Sequence, residues 1–508
     1  MKKIFTILLL FGGLLMSGCS DWLDVQPKDK QSTDMYWESS EDVEAILAQG
    51  YSRLRDCVPY IIDWGELRGS SVIVPVRSTP AGQIQNFTVL PSTSAVQWGT
   101  FYQVIGMANA VLKYAPGVIE KDESYYQSQM DSHLTEAYFL RGLSYLYLVR
   151  NFREVPLITE PYVDDAMPTD VPKSSEVEIK SDVRAALATD AAKETFNGTW
   201  ATKGRATKWA LYALMAETCL WAEDYEECVT YADYLINSTA PIRPVFMSTP
   251  GQWYNMFYPG NSNESIFEIQ YDETNYAQGG GSPSKLLPYG SDVTVNTYMY
   301  SEPMTIRLIN EFYQNQDEVN RTYYGSFAGI TYTSYPENGI IWKYSGLGVA
   351  DREAVRTILD ANYIIYRMAD VMLMKAEALI RIGGSANWTE ALAIINRIRE
   401  RSELRPRDEV SAENINEATE EILLEMLLDE RDMEFAAEGK RWYDLLRYGK
   451  QQNFKYKSRF KILIMENNLT AESRWLGSVL DNDNAWYLPI PASDISTNSL
   501  LKQNPYYE

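Results

Sequence analysis

One histidine in 508 residues, His133, sets the first limit on the chemistry this chain can perform. A Ser-His-Asp triad would have only that imidazole to use, an HExxH zinc site is impossible, and a multi-histidine metal centre cannot be assembled. His133 opens an apolar helical stripe with Ala137 and Leu140, so it reads as a structural histidine satisfied by its neighbours. Carboxylates are abundant instead: 69 Asp and Glu stand against 46 Lys and Arg, a formal charge of −23. So many acids give pairs at catalytic distance by chance, and none stands out by spacing, which leaves two-carboxylate glycoside hydrolysis permitted and unsupported. Asp481-Asn482-Asp483-Asn484 carries oxygen ligands but lacks the spaced Gly and distal Glu of a calcium loop, and reads as a turn. Gly346-Leu347-Gly348 and Gly439-Lys440 are fragments of phosphate loops without the rest of the pattern. The acidic balance also argues against nucleic acid, whose phosphates require a basic field. These residues call for no cofactor and no metal.

What remains is recognition by surface chemistry. Tyr (36) and Trp (13) together far outnumber Phe (15), and both carry a polar tip suited to half-wet surfaces. The elements that must position them are helical. Tyr225, Cys228, Val229, Ala232, Leu235 and Ile236 follow the i, i+3, i+4, i+7 spacing of one apolar stripe. The preceding helix, Arg205 to Trp221, is apolar on more than one face and is expected to be sandwiched. The same helix-turn-helix arrangement recurs in Ile365 to Leu379 and Ala391 to Ile398, and a further helix spans Leu134 to Arg150. A small residue on one helix, an aromatic near the turn and a small residue on the next (Ala216, Tyr225, Cys228) is tetratricopeptide (TPR) packing logic, in which stacked pairs bury a continuous core. The expected fold is therefore mostly α, with TPR-like helical pairs at about 40–55, 100–237 and 360–447. Between them, about 56–100 and 240–345 are rich in Gly, Pro, Asn, Ser and Tyr, with short strand-like runs such as 265–271; loops of that length are usually functional.

The N-terminus addresses the chain. Lys2-Lys3, an apolar run from Ile4 to Leu15, and Met16-Ser17-Gly18-Cys19 form a secretory leader too short to span a ~30 Å hydrocarbon core. The residues before Cys19 resemble a bacterial lipobox, with Met16 where Leu is usual, which makes Cys19 the lipid anchor and 1–18 the signal peptide. Loss of Lys2 and Lys3 with the leader takes the charge from −23 to −25. Cys57, Cys219 and Cys228 then remain; three thiols cannot all pair, and buried inert thiols are expected, with one disulfide left open.

The C-terminal third carries the sharpest motifs. Arg367, Asp370, Glu377 and Arg381 fall on neighbouring helical turns and are expected to form i,i+3 and i,i+4 pairs. Glu430 and Glu434 continue the apolar face of Leu423 and Leu427, so they enter a buried region and need Arg partners. Tyr366 to Ala378 (YRMADVMLMKAEA), Asp429 to Arg447 (DERDMEFAAEGKRWYDLLR), and the closing WYLPIP and QNPYY, in that order, resemble the RagB/SusD family of outer-membrane lipoproteins from Bacteroidetes. Cys19 to Asp24, Ala137 to Ile158 and Gly204 to Tyr225 extend the resemblance over nearly all of residues 19–508, read as a single SusD-like domain. Arg153-Glu154 departs from it, since the family often has Gly there.

The resemblance implies TPR-like pairs beneath an irregular loop-rich SusD-like face. It further implies a non-catalytic lid on a SusC-like TonB-dependent transporter that captures a glycan, or in the RagB branch a peptide. Asp63-Trp64-Gly65-Glu66-Leu67-Arg68-Gly69 resembles the family's early binding loop, with Trp64 as a stacking platform beside Glu66 and Arg68. In the second loop segment Tyr289, Tyr298 and Tyr300 are the candidates, and Tyr298 and Tyr300 alternate as on a strand, facing one side. Trp253 and Trp342 read as core. Other readings are a peptide binder of the same fold, a helical polysaccharide hydrolase or lyase, and a TPR scaffold that binds only proteins.

Overall fold

The computed structural model describes residues 36–162, 168–187, 203–272, 274, 281–287, 298–313, 341–347, 356–407, 410–411, 413–468 and 473–508. Cys19 and Tyr289 lie outside the described residues. The chain is mostly α-helical, as expected. Its first long helix, α1 (Ser40–Glu66), starts where the Asp42 carboxylate accepts the Ser39 N–H at 2.8 Å. α2 (Gly99–Val118) packs against both α1 and α3 (Gln127–Phe152), and α4 (Glu176–Leu187) follows on α3. α5 (Lys208–Trp221) and α6 (Tyr225–Ile236) form the pair read from the sequence, with Ala216 and Cys228 fully buried between them. α5 is buried along its length except at Lys208 and Tyr212, which explains its apolar residues on several faces. α8 (Met368–Ile382) and α9 (Ser385–Arg401) repeat the unit. Their turn is Gly383-Gly384, with φ of +84° and +88°, a backbone region that side chains rarely adopt.

α10 (Glu420–Glu434), α11 (Arg441–Phe454), α12 (Lys457–Asn467) and α13 (Ser473–Asp481) complete the C-terminal part, and α7 (Glu302–Tyr313) precedes the second pair. Two short antiparallel ladders are present among the described residues: β1 (Val72–Ile73) with β3 (Met299–Tyr300), and β2 (Ser265–Ile269) with β4 (Tyr363–Arg367). Among the described residues no helix is long and apolar enough to cross a membrane.

Two stretches depart from the sequence reading. α1 continues eleven residues past Arg55, because Cys57, Val58, Ile61, Ile62 and Trp64 keep the helical burial period through Pro59. α7 lies inside a segment read as loop; Pro303 occupies its first turn, where a missing N–H costs nothing, and Met304 and Leu308 anchor it.

Beneath these elements is a buried ionic hub. Arg367 at the end of β4 meets Glu264 at 3.3 Å, Glu434 at 2.5 Å and Glu438 at 2.9 Å, with Phe435 stacked 4.4 Å away. Arg401 adds 2.5 Å to Glu434 and Lys343 adds 3.0 Å to Glu438, so three buried carboxylates face three buried cations. Glu430 pairs with Arg399 at 3.1 Å, and both glutamates thus have the Arg partners their burial required. The local pairs expected along the α8 helix do not form. Asp370 instead reaches Arg431 at 2.9 Å and Lys440 at 2.7 Å, Glu377 reaches Arg447 at 2.8 Å, and Arg381 lies 3.7 Å from Glu420. Burial opposes charge on Asp370, yet Lys440 and Arg431 hold its carboxyl far below the usual range.

Candidate functional site

The two segments singled out by their aromatic loops meet at the C-terminal end of α1. Val72 pairs with Tyr300 and Ile73 with Met299, and the Ser301 N–H donates to Ser71 O at 2.9 Å, extending the ladder. Next to it the Tyr298 hydroxyl donates to the Asp63 carboxylate on the last turn of α1. Tyr60, one turn earlier, shares that helix face and leans on Trp64 with ring centroids 5.5 Å apart. Tyr60, Asp63 and Tyr298 are each half-buried, so they form a partly exposed rim.

Burial pushes the Asp63 carboxyl up to about 7, against the pull of the Tyr298 hydrogen bond. The Tyr298 phenol is raised by burial and by the Asp63 charge. The phenol therefore keeps its proton at neutral pH and donates it to the Asp63 carboxyl. An aromatic ring beside a carboxylate and a phenol is an arrangement that accepts hydroxyl hydrogens and covers an apolar ring face.

Four of the expected site residues are placed differently. Trp64 is fully buried: Phe101 stacks on it at 5.3 Å, Phe152 meets it edge-on at 5.4 Å, and its Nε1–H donates to Ala95 O at 2.9 Å. It is a core pillar, since its apolar face is consumed by protein and no ligand can stack there. Glu66 is buried as well, and its Oε1 accepts the Gly439 N–H at 2.5 Å and the Lys440 N–H at 3.3 Å. Burial first, with the Asp432 charge, pushes its carboxyl up to about 8 against those two donors. Arg68 is buried over the Trp442 ring at 4.4 Å and donates to Trp486 O at 2.7 Å and Asn151 Oδ1 at 2.6 Å. Its guanidinium ties the end of α1 to the C-terminal motif rather than to a ligand. Tyr300 is fully buried while Tyr298 is at the rim, so the two do not present a shared face: the β3 ladder is only two residues long and Tyr298 lies just outside it. Of the six candidates, Tyr298 alone among the described residues stands at the rim; Tyr289 is outside them.

The rim is seated by a close backbone approach. A Cβ on Gly65 would stand 2.0 Å from Gly439 O, so only glycine lets α1 meet that turn, and Gly439 itself has φ +72°. Sequence reasoning missed Tyr60 and Asp63. The i,i+3 spacing of the two would have exposed them had the helix been followed past Pro59.

No group of three His, Cys, Asp or Glu among the described residues is arranged to hold a metal. His133 is buried, with Nδ1 2.9 Å from the Tyr125 hydroxyl and Nε2 3.2 Å from Glu44. Cys57, Cys219 and Cys228 are free and buried. Trp253 and Trp342 lie in the core.

Residues 343–507 match the model of the SusD family, and residues 21–220 match a model described as starch-binding associating with outer membrane. SusD-like protein P38 of Formosa agariphila is 30% identical, with 89% of this chain and 93% of that protein covered. Starch-binding protein SusD of Bacteroides thetaiotaomicron is 30% identical over 30% of this chain and 23% of its own length. Among solved structures, a SusD superfamily protein from Bacteroides thetaiotaomicron aligns with a TM-score of 0.71 at 23% identity, covering 93% of this chain and 99% of that one. A laminarin-binding SusD-like protein aligns with a TM-score of 0.68 at 20% identity, covering 92% of this chain and 100% of that one.

Proposed function

Because the chain belongs to the SusD family, we propose that it is a non-catalytic, lipid-anchored surface protein that captures a glycan and hands it to a SusC-like TonB-dependent outer-membrane transporter. The observation that carries the glycan reading is the rim itself: Tyr60, Asp63 and Tyr298, from two distant segments, come together half-buried at the end of one helix. Sugar rings present apolar C–H faces edged with hydroxyls, and the rim offers an aromatic ring beside a carboxylate that accepts from them. Relatives named for starch and laminarin binding support a polysaccharide as the ligand class. The model description of outer-membrane association and the Cys19 leader support the location at the outer membrane.

The same geometry supports capture without turnover. Glycoside hydrolysis needs two carboxyls flanking the bond. Glu66, the acid nearest Asp63 in the chain, is closed off by the Gly439 and Lys440 amides. Titration calorimetry of the purified chain against starch, laminarin and other oligosaccharides, with oligopeptides as the competing class, tests the reading. Heat from a glycan and none from peptides is expected; heat from peptides alone would replace the glycan with a peptide. Release of new reducing ends by the purified chain would contradict capture without turnover.

A further inference from the structure

A cleft of about 240 Å³ lies away from the rim, where the start of α2, the 156–158 stretch, the 169–171 stretch and the C-terminal 494–501 stretch meet. Trp98, Tyr102, Ile158, Val171 and Leu501 form its walls, and Asp494 is the one charged side chain among the described residues that line it. Its parts are held firmly. The Tyr102 hydroxyl donates to Pro156 O at 2.7 Å, Asn498 Nδ2 donates to Val171 O at 2.9 Å, and the Trp98 indole hydrogen-bonds to the half-buried Asp494 carboxylate.

Size and charge narrow the occupant. The cleft holds about eight water volumes at ~30 Å³ each and falls below the ~300–1,000 Å³ of pockets for drug-sized ligands, which leaves room for a single six-membered ring. Gly99, the first residue of α2, also lines it, and that helix start has no side-chain cap. Its leading N–H groups bring partial positive charge to the same end of the cleft as the Asp494 carboxylate, which Trp98 holds there. The two offset each other, so the lining favours neither an anion nor a cation. A neutral ring that both donates and accepts, with an apolar face for the aliphatic and aromatic walls, satisfies both.

We infer that this cleft is a second carbohydrate site, taking one neutral pyranose ring. Sugars reach it only if the chain handles glycans, so the site rests on the function proposed above. Its position is separate from the rim by a wall of packed rings: Tyr60 to Trp64 at 5.5 Å, Trp64 to Phe152 at 5.4 Å, Phe152 to Trp98 at 5.3 Å and Trp98 to Tyr102 at 5.8 Å. Two sites on opposite ends of one aromatic wall give a polymer two points of attachment, and the second engagement is then intramolecular.

Saturation-transfer NMR of the full chain with methyl glucoside, galactoside, mannoside and xyloside tests this, using three variants whose folding is checked by thermal melts. Thr497 is exposed at the cleft mouth, so Thr497→Trp fills the cleft without entering the core. At least one pyranoside is expected to show transfer, to lose it in Thr497→Trp, to bind about tenfold more weakly in Asp494→Asn, and to be unchanged in Tyr60→Ala. Transfer that survives both Thr497→Trp and Asp494→Asn would overturn the site. Silence from every pyranoside while oligosaccharides still titrate at the rim would sink the second site and leave the proposed function standing. Silence from both classes of sugar would sink the glycan reading itself. Binding of glucosamine or lysine amide in place of the neutral rings would overturn the carbohydrate assignment in favour of a cation.

Discussion

The ionic hub around Arg367 and the rim around Tyr298 are built from the same residue types, charged and aromatic, and are held in opposite ways. In the hub Glu434 touches both Arg367 and Arg401 at 2.5 Å, while Glu438 has Arg367 at 2.9 Å and Lys343 at 3.0 Å, all of them buried. At the rim, among the described residues, the Tyr298–Asp63 hydrogen bond, the Ser301–Ser71 hydrogen bond and a two-residue ladder join the segments. Over-determined contacts fix the scaffold, because each charge buried there would be costly without its partner. Sparse contacts at the rim leave side chains that exchange a protein partner for a ligand hydroxyl at little cost. Stability is thus concentrated in the hub and recognition at its edge.

Several substitutions would break or sharpen that contrast. Arg367→Met removes the shared partner of Glu264, Glu434 and Glu438 and is expected to destabilise the fold by ~3–5 kcal/mol, read as the denaturant midpoint at constant slope. A shift no larger than that of a rim variant would erase the distinction. Gly65→Ala drives a Cβ toward Gly439 O, 2.0 Å from its ideal position, and is expected to cost ~1–3 kcal/mol in the same assay.

The next effect is read against pH. Asp63 is raised to about 7 in the folded chain from its ordinary value of 3.8, so between those values the folded state keeps a proton that the unfolded state has released. Stability contributed by the protonated carboxyl is present below about 4 and is lost as pH rises through about 7. Asp63→Asn cannot titrate, and its thermal midpoint is expected to fall less between pH 5 and pH 7.5, roughly the window of this shift, than that of the parent. Equal slopes for the two would mean that Asp63 is not the group responsible. The smallest effect is Tyr298→Phe, which deletes one half-buried hydrogen bond: about 1 kcal/mol of stability, with a larger fractional loss in ligand affinity measured by calorimetry.

The hub was more legible from the sequence than the rim, for a physical reason. Glu430 and Glu434 continue the face of Leu423 and Leu427, and a carboxylate on a buried stripe must find a cation. Periodicity stated the need, though not the partners: Arg367, Arg399 and Arg401 come from β4 and α9, brought near by tertiary packing rather than by spacing along one helix. The helical pairs were legible for the same reason, since the stripe of Cys228, Ala232 and Leu235 repeats at the helix period.

The rim was misread because residue type does not tell a platform from a pillar. Trp64 and Arg68 suit sugar stacking and hydrogen bonding, yet they are satisfied by Ala95 O, 31 positions along the chain, and Trp486 O, 418 positions along it. Pro59, Gly65 and Gly69 punctuate the sequence like a loop, while the buried face of α1 carries the helix through Glu66. Reading that helix to its end would have placed Tyr60 and Asp63 one turn apart at the rim.

The central claim is tested most directly by titrating one oligosaccharide that binds the parent chain into Tyr60→Ala and, as a hub control, into Arg399→Lys, whose partner Glu430 lies far from the rim in the chain. Tyr60→Ala is expected to lose at least about tenfold in affinity with little change in melting temperature, while Arg399→Lys is expected to lower the melting temperature and leave affinity intact. Unchanged affinity in Tyr60→Ala, with affinity lost in the hub variant at a temperature where it is fully folded, would contradict the assignment of recognition to the rim.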